Sequence, residues 1–276
     1  MKQITVAVMI GTLALSSVFA GGSGDQKQAG QGAAPYTIEV GGSTSVTPLM
    51  ELFAENYQKA KTHIKVNING TGSDDGIKNT GKLYQIGMSS RELTPAEQGQ
   101  GLKETIVAID GIAVIINGAN PVKDLSIEQI RNIYTGAITD WSQVSGSAKK
   151  GKIAVISREE GSGTRGAFEE LVGFQGKLMA GANEFTSTGA IKASVAGNAD
   201  AIGYISLGSV DETIKTVSVG GIAASNANVV NGSYKIARPF IVLTGNNLHA
   251  ESRAFVDWML SPEGQTIVKK SWIPVK

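Results

Sequence analysis

Short apolar runs recur along this chain, each ending in a turn rich in Gly, Ser and Thr and followed by apolar residues at helical spacing. Tyr36–Val40 reads as a strand. After the turn at Gly41–Thr47, Leu49, Leu52, Phe53 and Tyr57 fall on one helical face, with Thr47 as N-cap and Pro48 at the first helical position. Ile64–Ile68 alternates as a strand should, and Gly70–Gly76 leads into a helix at Ile77. Gln85–Arg91 is a strand ending in two hydroxyls and a base. Lys152–Ile156 is a short buried strand, and Gly166–Val172 opens a helix beyond the polar turn Ser157–Arg165. Such a succession predicts an α/β fold whose turns gather at the carboxyl ends of the strands, where ligands bind.

Thr105–Ile116 is apolar except at Asp110 and Gly111, and its β-branched residues predict two strands passing a domain boundary rather than one helix. Ala201–Ser206 is a second crossover candidate. Leu125–Tyr134 is a helix with Ser126 and Gln129 in capping-box register. Asn183–Ala201 reads as a short αβ unit, and Lys235–Leu243 as a strand, at a sheet edge if Pro239 lies within it. Ala250–Leu260 is helical, and Ser261–Glu263 starts another helix.

With 276 residues and 41% hydrophobic content the chain can bury a large core and form two lobes. A net charge of +1, with acids and bases interspersed, points away from a nucleic-acid surface or a basic membrane patch. Lys2, the apolar run Ile4–Leu15 and the small residue Ala20 predict an export signal over 1–20, and the Gly/Gln/Ala-rich stretch 21–35 a flexible tether. The chain has no cysteine, so disulfides, thiol chemistry and lipidation at Gly21–Gly24 are excluded.

The turn before Gly166 carries the chemistry. Its unpaired N–H groups meet the positive end of a helix dipole, which makes a seat for an anion. Ser162 and Thr164 add donors, and Arg158 or Arg165 can supply a forked, permanently charged clamp for a tetrahedral oxyanion. Gly161–Gly166 also matches the dinucleotide pattern G-x-G-x-x-G, but Arg158–Glu160 intervene after the strand, and the acid expected about 20 residues on would be Glu184, not clearly at a strand end. Gly76–Lys82 matches most of a P-loop, yet Leu83 replaces the magnesium-holding hydroxyl. Ser162 lacks the nucleophile-elbow spacing, and His63 and His249 sit in polar settings unsuited to a general base. With no Cys and unclustered His, neither a metal site nor a cofactor is expected.

The segments Gly42–Pro48, Gly70–Ile77, Ile86–Arg91, Ile109–Ile115, Ile130–Gly136 with Trp141, Arg158–Arg165 and Ser261–Gln265 resemble the substrate-binding protein of the bacterial phosphate ABC transporter. The similarity runs over about residues 36–276, and its most specific part is Arg158 with Gly161–Thr164. The resemblance implies a two-lobed, class II periplasmic-binding-protein fold with two crossover strands and a ligand cleft between the lobes. Lobe one is expected at 36–110 and 206–276, lobe two at 111–205, with hinges at Asp110–Gly111 and Gly203–Tyr204. Implied too is capture of inorganic phosphate outside the cytoplasmic membrane, in the periplasm or cell envelope, by a monomer that delivers it to membrane permease subunits without catalysis. A sulfate-like oxyanion, or a phosphate-ester hydrolase, is the alternative.

Carried over by motif, Thr44 and Ser45 are similar to the family's first-loop donors, Ser73 to the second and Ser90 to a third-loop contact. Arg158, Ser162, Gly163 and Thr164 match the clamp of the other lobe, and Glu160 the carboxylate that orients the Arg. Some members have an Asp where this chain has Ser90, accepting the phosphate proton. Asp110 is expected to take that role, because it interrupts an apolar run where a carboxylate is costly without a partner. Asp74 and Asp75 are alternatives for that role, and a hinge-structural carboxylate is the other reading of Asp110.

Overall fold

A computed structural model describes residues 34–275; the expected export signal and all but the last two positions of the tether lie outside the described residues. β1 (Tyr36–Gly42) leads into α1 (Thr47–Ala60), β2 (Ile64–Gly70) into α2 (Ser73–Asn79) and β3 (Ile86–Ser89) into α3 (Pro95–Gln98). β4 (Lys103–Asn117) is followed by β5 (Asp124–Leu125), α4 (Ile127–Tyr134), β6 (Ala154–Arg158) and α5 (Gly163–Val172). Then come β7 (Asn183–Phe185), α6 (Thr188–Ala196), β8 (Ala201–Ser206), β9 (Ile214–Thr216), β10 (Ser218–Val219) and α7 (Asn226–Val230). β11 (Ala237–Thr244), α8 (Ala250–Met259) and α9 (Pro262–Val268) complete the sequence of elements.

Eight strands of the nine-stranded sheet lie in the order β2-β1-β3-β11-β4-β8-β6-β7, with β9 also on β4. β1, β2 and β3 run parallel, as do β8, β6 and β7, while β11 and β4 run antiparallel to their neighbours. Parallel strands put the polar turns of each group on one edge, ahead of the helices that follow.

Asp110 and Gly111 do not divide the long apolar run. β4 is one strand, paired with β11 through Gly111 and with β8 from Ile112 to Ile116. From Ile112 to Ile116 it is apolar at every position because both faces are covered: Ile112, Val114 and Ile116 enter one buried cluster, Ala113 and Ile115 another. β11 is central and not an edge strand. Pro239 fits because it pairs with β4 alone, upstream of the β3 ladder that begins at Ile241, next to an irregularity at Phe240/Ile241. In α1, Thr47 lies inside the helix and its hydroxyl donates to the Ser43 carbonyl instead of capping. The Ser126–Gln129 capping box forms as expected.

Apolar side chains separate into two main bodies. Ile38, Val40, Leu49, Phe53, Val107, Phe240, Phe255 and Trp272 belong to the first, and Val114, Ile133, Trp141, Val155, Phe168 and Tyr204 to the second. Val217, Val219, Tyr234 and Ile236 also pack in the second, although residues 206–236 were expected in lobe one. The chain recrosses at Ile236–Ala237, where the Ile112 N–H donates to the Ile236 carbonyl and Ala237 pairs with Gly111. Tyr204 and Gly203, expected at a hinge, lie within β8, with Tyr204 in the second core. Backbone register, invisible in the apolar pattern, decides this: β8 pairs with the part of β4 beyond Gly111, not with the part before it.

Candidate functional site

The turns after β1, β2 and β3 meet those after β6 and β7. Ser45 Oγ lies 2.7 Å from Thr164 Oγ1 and 3.1 Å from Thr188 Oγ1, and Thr44 Oγ1 lies 3.3 Å from Thr188 Oγ1. Ser90 Oγ lies 3.4 Å from both Thr164 Oγ1 and Ser73 Oγ, and accepts from Ser43 Oγ at 2.8 Å. The Asp74 N–H donates to the Gly161 carbonyl across the same line (3.1 Å). Gly163 permits this approach, since a Cβ there would fall 2.3 Å from Ser73 Oγ. Thr44, Ser45, Ser73, Ser90, Gly163 and Thr164 are thus brought together, and Ser162 caps α5 beside them by accepting the Arg165 N–H.

Several of these hydroxyls have one role assigned by an N–H group, which can only donate. Thr44 Oγ1 accepts from Thr188 N (3.3 Å), Ser73 Oγ from Ser90 N (3.1 Å), Ser162 Oγ from Arg165 N (3.3 Å) and Thr164 Oγ1 from Arg238 Nη1 (3.0 Å). Each keeps its own proton free to give. Ser90 Oγ accepts from Ser43 Oγ in the same way, while the hydroxyl of Ser45 meets only other hydroxyls and can turn either way. The cluster is therefore rich in donors and suited to oxygen-rich anions.

Arg158 is 2% exposed, and its guanidinium is held by Glu159, not Glu160: Nε reaches Oε2 at 2.8 Å and Nη2 reaches Oε1 at 2.7 Å. Glu160 is exposed. The carbonyls of Phe185 and Thr186 accept further bonds from Arg158. Its backbone N–H donates to Tyr204 Oη, whose phenol is pushed up to about 12 by burial, opposed by a bond to Ser157. Tyr204 stacks on Phe168 at 4.1 Å, so the aromatic core of the second body supports the clamp strand directly. Arg165 pairs with Glu169 and Glu184, and Arg91 with Glu97 and Asp74.

Asp110 is 1% exposed, and both of its oxygens are engaged inside the chain. Oδ2 accepts from Arg238 Nη2 (2.9 Å), and Oδ1 from Ser206 Oγ (2.8 Å) and Gly208 N (3.5 Å). Both oxygens are thus held by partners within the chain, chiefly the side chains of Arg238 and Ser206. Burial pushes its carboxyl above the ordinary value, opposed chiefly by the Arg238 charge. Asp74 is bound to Arg91, and Asp75 accepts from Tyr84 Oη and Asn79. Arg238 went unrecognised in the sequence, as did Ser43, Thr188 and Glu159. For Thr188 a signal existed, since Thr186–Thr188 is one more hydroxyl-bearing turn between strand and helix.

His63 bonds to Glu251, and His249 stacks on Tyr36. Among the described residues no group of three or more His, Cys, Asp or Glu is placed to hold a metal, and no helix is long and apolar enough to cross a membrane.

Two groups of parallel strands joined through the antiparallel strands β11 and β4, with polar turns meeting between two cores, define a two-lobed binding protein of mixed α/β class. The sequence matches the PBP superfamily domain over residues 23–263. It is 30% identical over 248 residues to the phosphate-binding protein PstS of Borreliella burgdorferi, covering 84% of this chain and 88% of that one. The chain therefore belongs to the PBP superfamily, in the family of the PstS phosphate-binding proteins. A candidate phosphate ABC transporter substrate-binding protein from Clostridium perfringens, with bound phosphate, superposes with a TM-score of 0.85 at 45% identity, over 87% of this chain and 100% of that one. An ABC-type phosphate transport receptor from Vibrio cholerae does so with a TM-score of 0.71 at 34% identity, over 86% and 99%.

Proposed function

We propose that this protein binds inorganic phosphate between its lobes, outside the cytoplasmic membrane, and delivers it to the permease subunits of an ABC-type importer. It works as a monomer, without catalysis or cofactor. The observation that carries this reading is the meeting of Ser45, Ser73 and Ser90 with Gly163 and Thr164 across the cleft. Thr44 and Ser162, with Arg158 as cation, complete the ligand set. Ser45 is the hydroxyl free to turn and accept the phosphate proton, and Asp110 acts on the site through Arg238. We place lobe one at 36–110 and 237–275, and lobe two at 111–236, following the two cores. Charge-assisted hydrogen bonds stabilise a bound dianion by roughly 1.5–3 kcal/mol each, before desolvation and ordering are subtracted.

Calorimetric titration with phosphate, sulfate and molybdate, alongside a phosphatase assay, tests the proposal. One phosphate per chain and no ester turnover is the expected result. Turnover, or heat from sulfate alone, would displace it.

A further inference from the structure

The Arg238–Asp110 pair occupies an unusual place. The two residues face each other across β11 and β4, one residue from the crossing points at Ala237 and Gly111. Both are buried, and the guanidinium forks three ways: Nη2 to Asp110, Nη1 to the Ser90 carbonyl (3.0 Å) and Nη1 to Thr164 Oγ1. One side chain of lobe one, anchored at the hinge, thus bonds a hydroxyl of lobe two inside the candidate site. Its Nε lies buried with no partner among the described residues, and its Cζ lies 5.1 Å from the centre of the Phe240 ring. A buried ion pair of this kind is a poor device for stability alone, since an apolar pair of similar volume is often as good.

We propose that Arg238 is a positioning and specificity-determining residue, which fixes Thr164 as a hydrogen-bond donor to the bound oxyanion when the lobes are together. This rests on the phosphate-binding reading above. A hydroxyl oxygen that already accepts from a guanidinium offers its proton to the next acceptor, and a tetrahedral dianion supplies one. Asp110 holds the guanidinium in orientation and offsets its charge, so that Arg238 acts by direction and not as an added net charge. Without Arg238, Thr164 is free to turn and accept. Phosphate carries a proton near neutral pH and can satisfy an accepting Thr164, whereas sulfate, an acceptor at every oxygen, cannot. Loss of Arg238 therefore penalises sulfate more than phosphate.

The test uses Arg238→Met combined with Asp110→Asn, which removes the donor at constant net charge, and Arg238→Met with Asp110→Leu as a second neutral pair. Folding of either variant, checked by circular dichroism, is sufficient. Phosphate and sulfate affinities are measured by calorimetry at neutral pH in wild type, in the folded pair variant, in Thr164→Val, and in the combination. The expected result is an affinity loss of about 10- to 100-fold for both anions, the scale of one charge-assisted bond, with the larger loss for sulfate. In the Thr164→Val background, removing the pair should leave the sulfate-to-phosphate ratio unchanged. A ratio that does not move in the wild-type background, or moves equally with and without the Thr164 hydroxyl, overturns the role of Arg238 and leaves phosphate binding standing. Wild type that fails to bind phosphate overturns the underlying reading instead.

Discussion

At Gly163 the two lobes come within contact distance of each other's backbone and hydroxyls. A Cβ there would stand 2.9 Å from both Ser73 Cβ and Ser90 Oγ as well as 2.3 Å from Ser73 Oγ, and both serines are fully buried. Gly163 is the first residue of α5, not an interior one, so the gain in helix propensity from alanine is small there. Gly163→Ala should therefore leave the melting temperature of the unliganded protein unchanged or slightly raised, while weakening phosphate binding at least about 10-fold through a blocked approach. Wild-type affinity in this variant would mean that the lobes do not meet at Ser73 when ligand is bound.

Elements differ in what holds them. The helix α3 has four residues, too few to persist by itself. A capping box between Thr94 and Glu97 supports it, and Arg91 donates to both Glu97 oxygens (2.7 and 2.8 Å) and to Asp74 (2.7 Å). The bonds from Arg91, opposed by burial and helped by the Thr94 N–H, bring the Glu97 carboxyl down to about 2 from 4.5. A depressed carboxyl contributes stability that is present above its unfolded value and disappears as pH falls through its folded value. The unfolding free energy of wild type should thus exceed that of Glu97→Gln by about 1–2 kcal/mol at pH 7, after allowance for solvent screening. That margin should shrink between pH 4.5 and about 2. Denaturant titrations at several pH values check it, and a margin constant over this window would assign the stability of α3 to the cap alone.

For the whole molecule, the lobe boundaries proposed above make Asp110–Gly111 and Ile236–Arg238 the expected places for rotation between the lobes to be absorbed by few residues. Small-angle scattering should give a smaller radius of gyration with phosphate than without. The second hinge should respond to restriction at Ile236–Arg238 and not at Gly203–Tyr204, which belongs to β8 inside the second core. An unchanged radius would describe a molecule closed at all times.

Much of the strand, turn and helix order was legible in the sequence because each signal is local, whereas the short elements α3, β5, β9, β10 and α7 lie where the pattern declared none of them. Tyr36–Val40 with Leu49, Leu52, Phe53 and Tyr57 declares a strand and an amphipathic helix within a few turns of chain. Thr44, Ser45, Ser73, Ser90 and Gly161–Thr164 stand out because turns with free N–H groups need small and hydroxylated residues. What tertiary structure decided is which of these groups meet. Glu159 and Glu160 are adjacent and chemically alike, and only the folded chain distinguishes Glu159, which pairs with Arg158, from Glu160, which is exposed. Asp110 was conspicuous as a charge in an apolar run, but its partner lies 128 positions away on β11. Only the antiparallel register of β4 and β11 sets Arg238 opposite it and carries the guanidinium on to Thr164. Local pattern determined most elements and the turn chemistry, and long-range strand pairing determined which charges meet between β4 and β11, because a cross-strand neighbour leaves no trace in linear spacing.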